Sequence, residues 1–146
     1  MKTVIFDIDG TLADICHRRK FLDQDKPDWE SFNDLMGDDS PNLPIVELYR
    51  TIWDSGKYDV VITSGRSERD RKVTEQWLIW NEIPFERLEM RADGDNRADN
   101  VIKEEILLKL QGEGKDILFA VDDRQQVVDM WRKNGITCLQ CDVGDF

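Results

Sequence analysis

Cysteine, histidine and positive charge are scarce in this chain, and no long apolar run occurs. No stretch approaches the ~20 apolar residues that cross a bilayer, so no membrane anchor is expected. The opening MKTVIFDID introduces Asp7 and Asp9 almost at once, which argues against a secretory signal. The three cysteines, Cys16, Cys138 and Cys141, are an odd number and form no disulfide framework, so a reducing, cytoplasmic setting is expected. Cys138 and Cys141 make a C-x-x-C, but ITCLQC reads as a strand. Residues three apart in a strand point to opposite faces, and the single histidine, His17, is far away, so a zinc site is not expected. Lys and Arg total 20 against 31 Asp and Glu, a net charge of -11. That balance disfavours a long grip on a nucleic-acid backbone, which needs many cation–phosphate contacts. A short grip on a strand end stays open, and surplus acid suits a divalent cation.

What is present is enough for a packed fold. The chain has 146 residues, 40% of them hydrophobic, with five tryptophans. A length of this order supports one domain, residues 1–146, with a core that needs no staples. Apolar runs at 2–7, 58–63, 86–90, 116–121 and 136–141 read as strands. Helices are expected over 44–55, 68–81, 99–111 and 124–134. Their stripes are Ile45, Leu48, Tyr49 and Ile52, then Val73, Trp77 and Trp80, then Ile102, Ile106 and Leu110. The alternation predicts an α/β fold with a parallel sheet and helices on both faces. Residues 15–44 are polar and irregular, with Pro27, Pro41 and the Asp38-Asp39 run. They read as a long loop with one short helix, a lid or cap insertion.

In such folds reactive groups gather at the carboxyl ends of the strands. The first strand ends at Asp7, with Asp9 beyond it. The second ends at Thr63 and Ser64, and ILFAV ends at Asp122 and Asp123. Lys103 lies near the start of the preceding helix. Four carboxylates side by side need a counter-charge, and oxygen ligands of this kind suit Mg2+. D-x-D after a buried strand lets Asp7 attack phosphorus while Asp9 protonates the leaving oxygen and then takes a proton from water. Lys103, Ser64 and Mg2+ would offset charge on the phosphoryl oxygens.

These residues carry a resemblance. FDIDGTLAD (Phe6–Asp14) resembles the first motif of the haloacid dehalogenase (HAD) superfamily, and Thr63/Ser64, Lys103 and Asp122/Asp123 resemble its other three. VVITSGR, NRADNVIKEEI, AVDDRQQVVDMWRKNGI and the terminal GDF are similar to the 3′-phosphatase domain of bacteriophage polynucleotide kinase/phosphatase. The similarity covers 1–14 and most of 45–146. It implies a Rossmann-like HAD fold with a small or minimal cap. It also implies Asp7 as nucleophile and Asp9 as acid/base. Ser64, Lys103 and Thr63 would meet the phosphate. Asp7, the Asp9 carbonyl, Asp122 and Asp123 would hold Mg2+, with Asp122 the closer of the pair. Arg66, Asp99 and Arg124 match charged positions flanking that family's site. Asp99 and Lys103 are i and i+4, so Asp99 would orient the lysine. His17-Arg18-Arg19-Lys20 reads equally as a phosphate-facing patch and as a solvated helix face.

A kinase P-loop is absent: Gly56-Lys57 is followed by Tyr58 and Gly114-Lys115 by Asp116. The expectation is therefore a phosphatase that stands alone or works with a separate kinase or ligase. Its expected substrates are polynucleotide 3′-phosphate or 2′,3′-cyclic phosphate ends, DNA or RNA. A nucleotidase or small-metabolite phosphatase is the alternative, and a non-catalytic binding module a second.

Overall fold

The computed structural model describes residues 1–144, so Asp145 and Phe146 of the terminal GDF lie outside the described residues. Five parallel strands form the central sheet: β1 (Lys2–Asp7), β4 (Tyr58–Ser67), β5 (Arg87–Arg91), β6 (Ile117–Arg124) and β7 (Thr137–Gly144). Their spatial order is β5–β4–β1–β6–β7. The middle of the central strand, Val4–Phe6, is apolar because it is covered on both faces.

Side chains alternate along each strand, and the sheet sorts them into two cores. Val4, Phe6, Val60 and Ile62 face α3 (Leu43–Ser55) and α4 (Arg71–Trp80), meeting Tyr49 and Leu78. Ile5 and Val61 face α5 (Asp99–Gly112) and α6 (Gln125–Lys133), meeting Leu107 and Trp131. Each fully buried residue of this size contributes about 1.5–3 kcal/mol. Cys138 joins the second core while Cys141 packs against the first, so the C-x-x-C is split across the sheet as expected. Among the described residues no helix is long and apolar enough to cross a membrane.

Several boundaries differ from the sequence reading. β4, β6 and β7 run three residues or more past their apolar stretches, to Ser67, Arg124 and Gly144. Those added residues are largely polar, and hydrophobic pattern does not register them. Glu68–Asp70 is a 3-10 turn, not the first turn of α4, and the Ser67 side chain accepts from the Arg69 N–H to cap it. Trp80 is 87% exposed and leaves the expected stripe, which Thr74, Trp77 and Leu78 form instead. On α3 the buried line is Val46 and Tyr49, while Leu48 is exposed.

The largest difference lies in residues 15–44. They hold α1 (Cys16–Arg19), α2 (Trp29–Asp34) and a 3-10 turn (Met36–Asp38). A two-stranded antiparallel ribbon, β2 (Ala13–Asp14) with β3 (Ser40–Pro41), closes the segment. Leu22, Phe32 and Met36 are buried, and the Trp77 indole donates to the Asp39 carbonyl at 2.8 Å. The segment is a packed element, built on few apolar anchors.

Candidate active site

β1 ends at Asp7 between β4 and β6, and the chain then turns sharply. The Gly10 N–H donates to the Ala13 carbonyl at 2.9 Å, and Gly10 takes a φ of +82°. A Cβ at Gly10 would also come within 2.0 Å of the Asp123 carboxylate, so only glycine fits. Across β6, the Asp123 N–H donates to Asp122 Oδ1 at 2.9 Å, which fixes that carboxylate beside β1.

The result is a buried cluster of Asp7, Asp122 and Asp123 whose ligand oxygens all lie within 4.8 Å of one another. Lys103, from α5, donates to Asp7 Oδ1 at 2.6 Å and to Asp122 Oδ2 at 3.0 Å. The Thr11 hydroxyl donates to Asp7 Oδ2 at 2.9 Å, and the Trp131 indole donates to Asp122 Oδ2 at 3.2 Å. Burial, then the charge of Asp122, push Asp7 well above the usual carboxylate range against the pull of Lys103. Burial and Asp122 likewise push Asp123 up to about 7. Burial opposes the charge on Lys103, but Asp122 and Asp7 outweigh it and hold the ammonium firmly protonated. Three carboxylates share one ammonium. The donors are all hard oxygens, with no thiol or imidazole among them, and this set fits Mg2+.

Asp9 is not in that cluster. Its carboxylate turns to Arg66, which donates from Nη2 at 2.7 Å, and to Arg18 Nη2. Both guanidiniums also reach Asp39: Arg18 through Nε and Nη2 at 2.7 Å each, Arg66 at 3.2 Å. Burial would raise Asp9, but Arg66 and Arg18 outweigh it and hold the carboxyl well below the usual range. The two arginines therefore keep Asp9 ionised.

Asp99 meets two arginines. Its carboxylate accepts from Arg91 Nη2 and from Arg124 Nη1 at 2.8 Å, and no hydrogen bond joins it to Lys103. Its charge reaches the lysine only through space. A Cβ at Gly65 would meet that carboxylate at 2.4 Å, so glycine again makes room. Asp7, Asp9, Arg66, Lys103, Asp122 and Arg124 line one groove of 720 Å³. Thr63 and Ser64 are fully buried beside it, Thr63 opposite Asp7 in register. The Ser64 hydroxyl accepts from the Arg66 N–H at 3.1 Å, and the Thr63 hydroxyl has no partner among the described residues.

Sequence reading missed Asp39 and left Arg18 undecided. Arg18 has 0% exposure, which excludes the solvated-face reading for it, yet nothing in HRRK distinguishes it from Arg19. Asp39 sat in an acidic run that reads as loop. Thr11 lay inside the first motif, and its hydroxyl next to Asp7 was a signal open to reading.

A parallel sheet with a carboxylate at the end of its middle strand, a buried lysine and an acidic pair defines the HAD class of phosphatase. A haloacid dehalogenase-like hydrolase of Streptococcus pneumoniae shares the fold, with a TM-score of 0.64 at 16% identity over 96% of this chain and 84% of that one. More specifically, residues 1–146 match the family described as the polynucleotide kinase PNKP phosphatase domain, and the chain belongs to it. The chain is 34% identical to a chain of the Pnkp1/Rnl/Hen1 complex, with a TM-score of 0.85, covering 99% of itself and 47% of that chain. It is 25% identical over 132 residues to a bifunctional polynucleotide kinase/RNA ligase homologue of Autographa californica nuclear polyhedrosis virus, spanning 90% of itself and 18% of that protein. The chain thus spans less than half the length of these last two relatives. It is a HAD-type phosphatase domain.

Proposed function

We propose that this domain removes 3′-phosphate, and opens and removes 2′,3′-cyclic phosphate, at polynucleotide ends. The observation that carries the reading is the placement of Asp7. It sits on the floor of an open groove, touched by Lys103 and Thr11, with Asp122 and Asp123 beside it. Family membership over the whole chain supports a polynucleotide substrate.

In the proposed reaction an Asp7 oxygen bonds to phosphorus as the bond from phosphorus to the 3′ oxygen breaks. Asp9, protonated where the charge of the bound phosphate offsets Arg18 and Arg66, gives that oxygen its proton and is left as the carboxylate. Water then attacks phosphorus, Asp9 accepts the water proton, and the bond to Asp7 breaks to release inorganic phosphate. Lys103 stabilises the charge that builds on the phosphoryl oxygens. Asp7, Asp122 and Asp123, with the Asp9 carbonyl, would hold Mg2+, which supplies further charge neutralisation at phosphate. Arg124 and Arg91, positioned by Asp99, form the wall next to the reacting centre. Arg69, with a side chain 65% exposed and only a 4.0 Å pairing to Asp70, suits an internucleotide phosphate.

One similar chain belongs to the Pnkp1/Rnl/Hen1 RNA repair complex, and the viral relative is named as a polynucleotide kinase/RNA ligase; both support RNA ends and a kinase or ligase partner. The net charge of -11 favours a smaller substrate, a nucleotide, as the second reading. A phosphate-release panel separates them: 3′-phosphate DNA and RNA, 2′,3′-cyclic ends, 5′-phosphates and free nucleotides, each with Mg2+ and with EDTA. Preference for 3′-phosphate oligonucleotides is expected. Equal or faster turnover of mononucleotides would overturn the polynucleotide assignment.

A further inference from the structure

We infer that Trp29 is the seat of the substrate's terminal base, and so the residue by which this site prefers nucleic-acid ends over small phosphate esters. The inference rests on the polynucleotide reading above and names the recognition device within the same groove. Trp29 opens α2 and lines the groove that holds Asp7, yet it is 47% exposed. A large aromatic left half open on the wall of a charged cleft offers a π-face to any base, independent of sequence. Its ring meets Phe32 edge to face, with centroids 5.5 Å apart and planes at 87°. That geometry leaves at least one indole face uncovered by Phe32.

The seat is also rigidly tied to the chemistry. Phe32 is buried and carries the Arg18 guanidinium over its ring at 4.3 Å, and Arg18 Nη1 donates to the Phe32 carbonyl at 3.3 Å. Arg18 in turn holds Asp9. Trp29, Phe32, Arg18 and Asp9 are therefore consecutive contacts from groove wall to proton-transfer group. A base on Trp29 would hold the strand end in the groove that contains Asp7 and Asp9. A phosphate ester lacking a base gains nothing from the indole.

The test uses a 3′-phosphorylated oligonucleotide and the same strand with an abasic terminal nucleotide. Trp29→Ala should raise KM for the base-bearing strand by roughly 10-fold, within the range of base–aromatic stacking. It should leave the abasic strand unchanged and kcat nearly so, and Trp29→Phe should recover most of the loss. Equal loss on both strands, or no loss on either, would overturn the seat. Should Trp29→Ala disturb α2, indole fluorescence in the inactive Asp7→Asn protein decides. Quenching by the base-bearing strand, absent with the abasic strand and in the added Trp29→Phe change, supports the inference; equal quenching by both strands removes it. If wild-type protein releases phosphate from glycerol phosphate but from neither strand, the polynucleotide reading fails first, and the seat with it.

Discussion

Asp7 and Asp122 share the ammonium of Lys103 with Asp123 beside them, whereas Asp9 and Asp39 face two guanidiniums, Arg18 and Arg66. The two clusters are neighbours at one end of one sheet, and both are largely buried. In the first, burial and like charge raise the carboxyls of Asp7 and Asp123; in the second, the arginines depress that of Asp9. The first cluster is short of positive charge, with three buried carboxylates beside one ammonium. The second is balanced already and costs nothing further to arrange at the moment of reaction. Reactivity should therefore depend on the first cluster and stability on the second.

The sharpest separation comes from Asp7→Asn. An amide is a far poorer nucleophile than a carboxylate, so phosphate release should fall by roughly 10³-fold or more. Thermal stability should hold, because removing one of three crowded carboxylates relieves repulsion. Activity that persists would remove the covalent mechanism, and a collapse of the melting temperature would erase the distinction between the clusters.

The balanced cluster should respond in the opposite sense. Arg18 has 0% exposure and bonds Asp39 through two nitrogens as well as Asp9 and the Phe32 carbonyl. Arg18→Ala leaves buried carboxylates short of a partner and should cost about 3–5 kcal/mol, read by denaturant unfolding. Arg18→Lys should restore little, since one ammonium cannot reproduce a planar fork that spans both carboxylates. A loss below 1 kcal/mol in Arg18→Ala would mean that α1 and α2 are not held by this pairing.

The contrast between the clusters also explains what could be read beforehand. Asp7 and Asp122/Asp123 end the apolar runs of β1 and β6, so the strand-end rule located them, and Lys103 lies near the start of α5, the helix before β6. Arg18 and Asp39 sit in 15–44, where α1 has four residues and α2 six, too short to show a period. Their burial comes from each other, not from an apolar stripe. The polar extensions of β4 and β6 escaped as well, because their own strand pairings, Ser67 with Arg91 and Arg124 with Gly144, leave no apolar pattern in the sequence. Asp99 was placed correctly on the helix face of Lys103, but its partners, Arg91 and Arg124, come from β5 and β6 and have no sequence relation to it.

Divalent cation should distinguish the clusters by linkage. Mg2+ at about 100 times its Kd should add roughly 2.7 kcal/mol to unfolding stability, since only the folded chain brings the three carboxylates together. EDTA should remove both this gain and the phosphatase activity. Asp122→Ala should abolish the gain, while Arg69→Ala, on the open rim, should keep it. Stabilisation of equal size in Asp122→Ala would place the cation elsewhere.

The smallest effect follows from charge balance alone. Asp123 lies against Asp122 and Asp7, pairs with no cation among the described residues, and meets the Thr11 hydroxyl at 3.5 Å. In divalent-free buffer at neutral pH, Asp123→Asn should stabilise the fold by about 1 kcal/mol, a rise of roughly 3–5 °C in Tm. The same substitution at Asp39 should lower Tm, because it strips charge from between two buried arginines. With Mg2+ present the gain at Asp123 should vanish, since the carboxylate then meets a cation in place of repulsion. If both substitutions shift Tm in the same direction without Mg2+, the two clusters do not differ in balance.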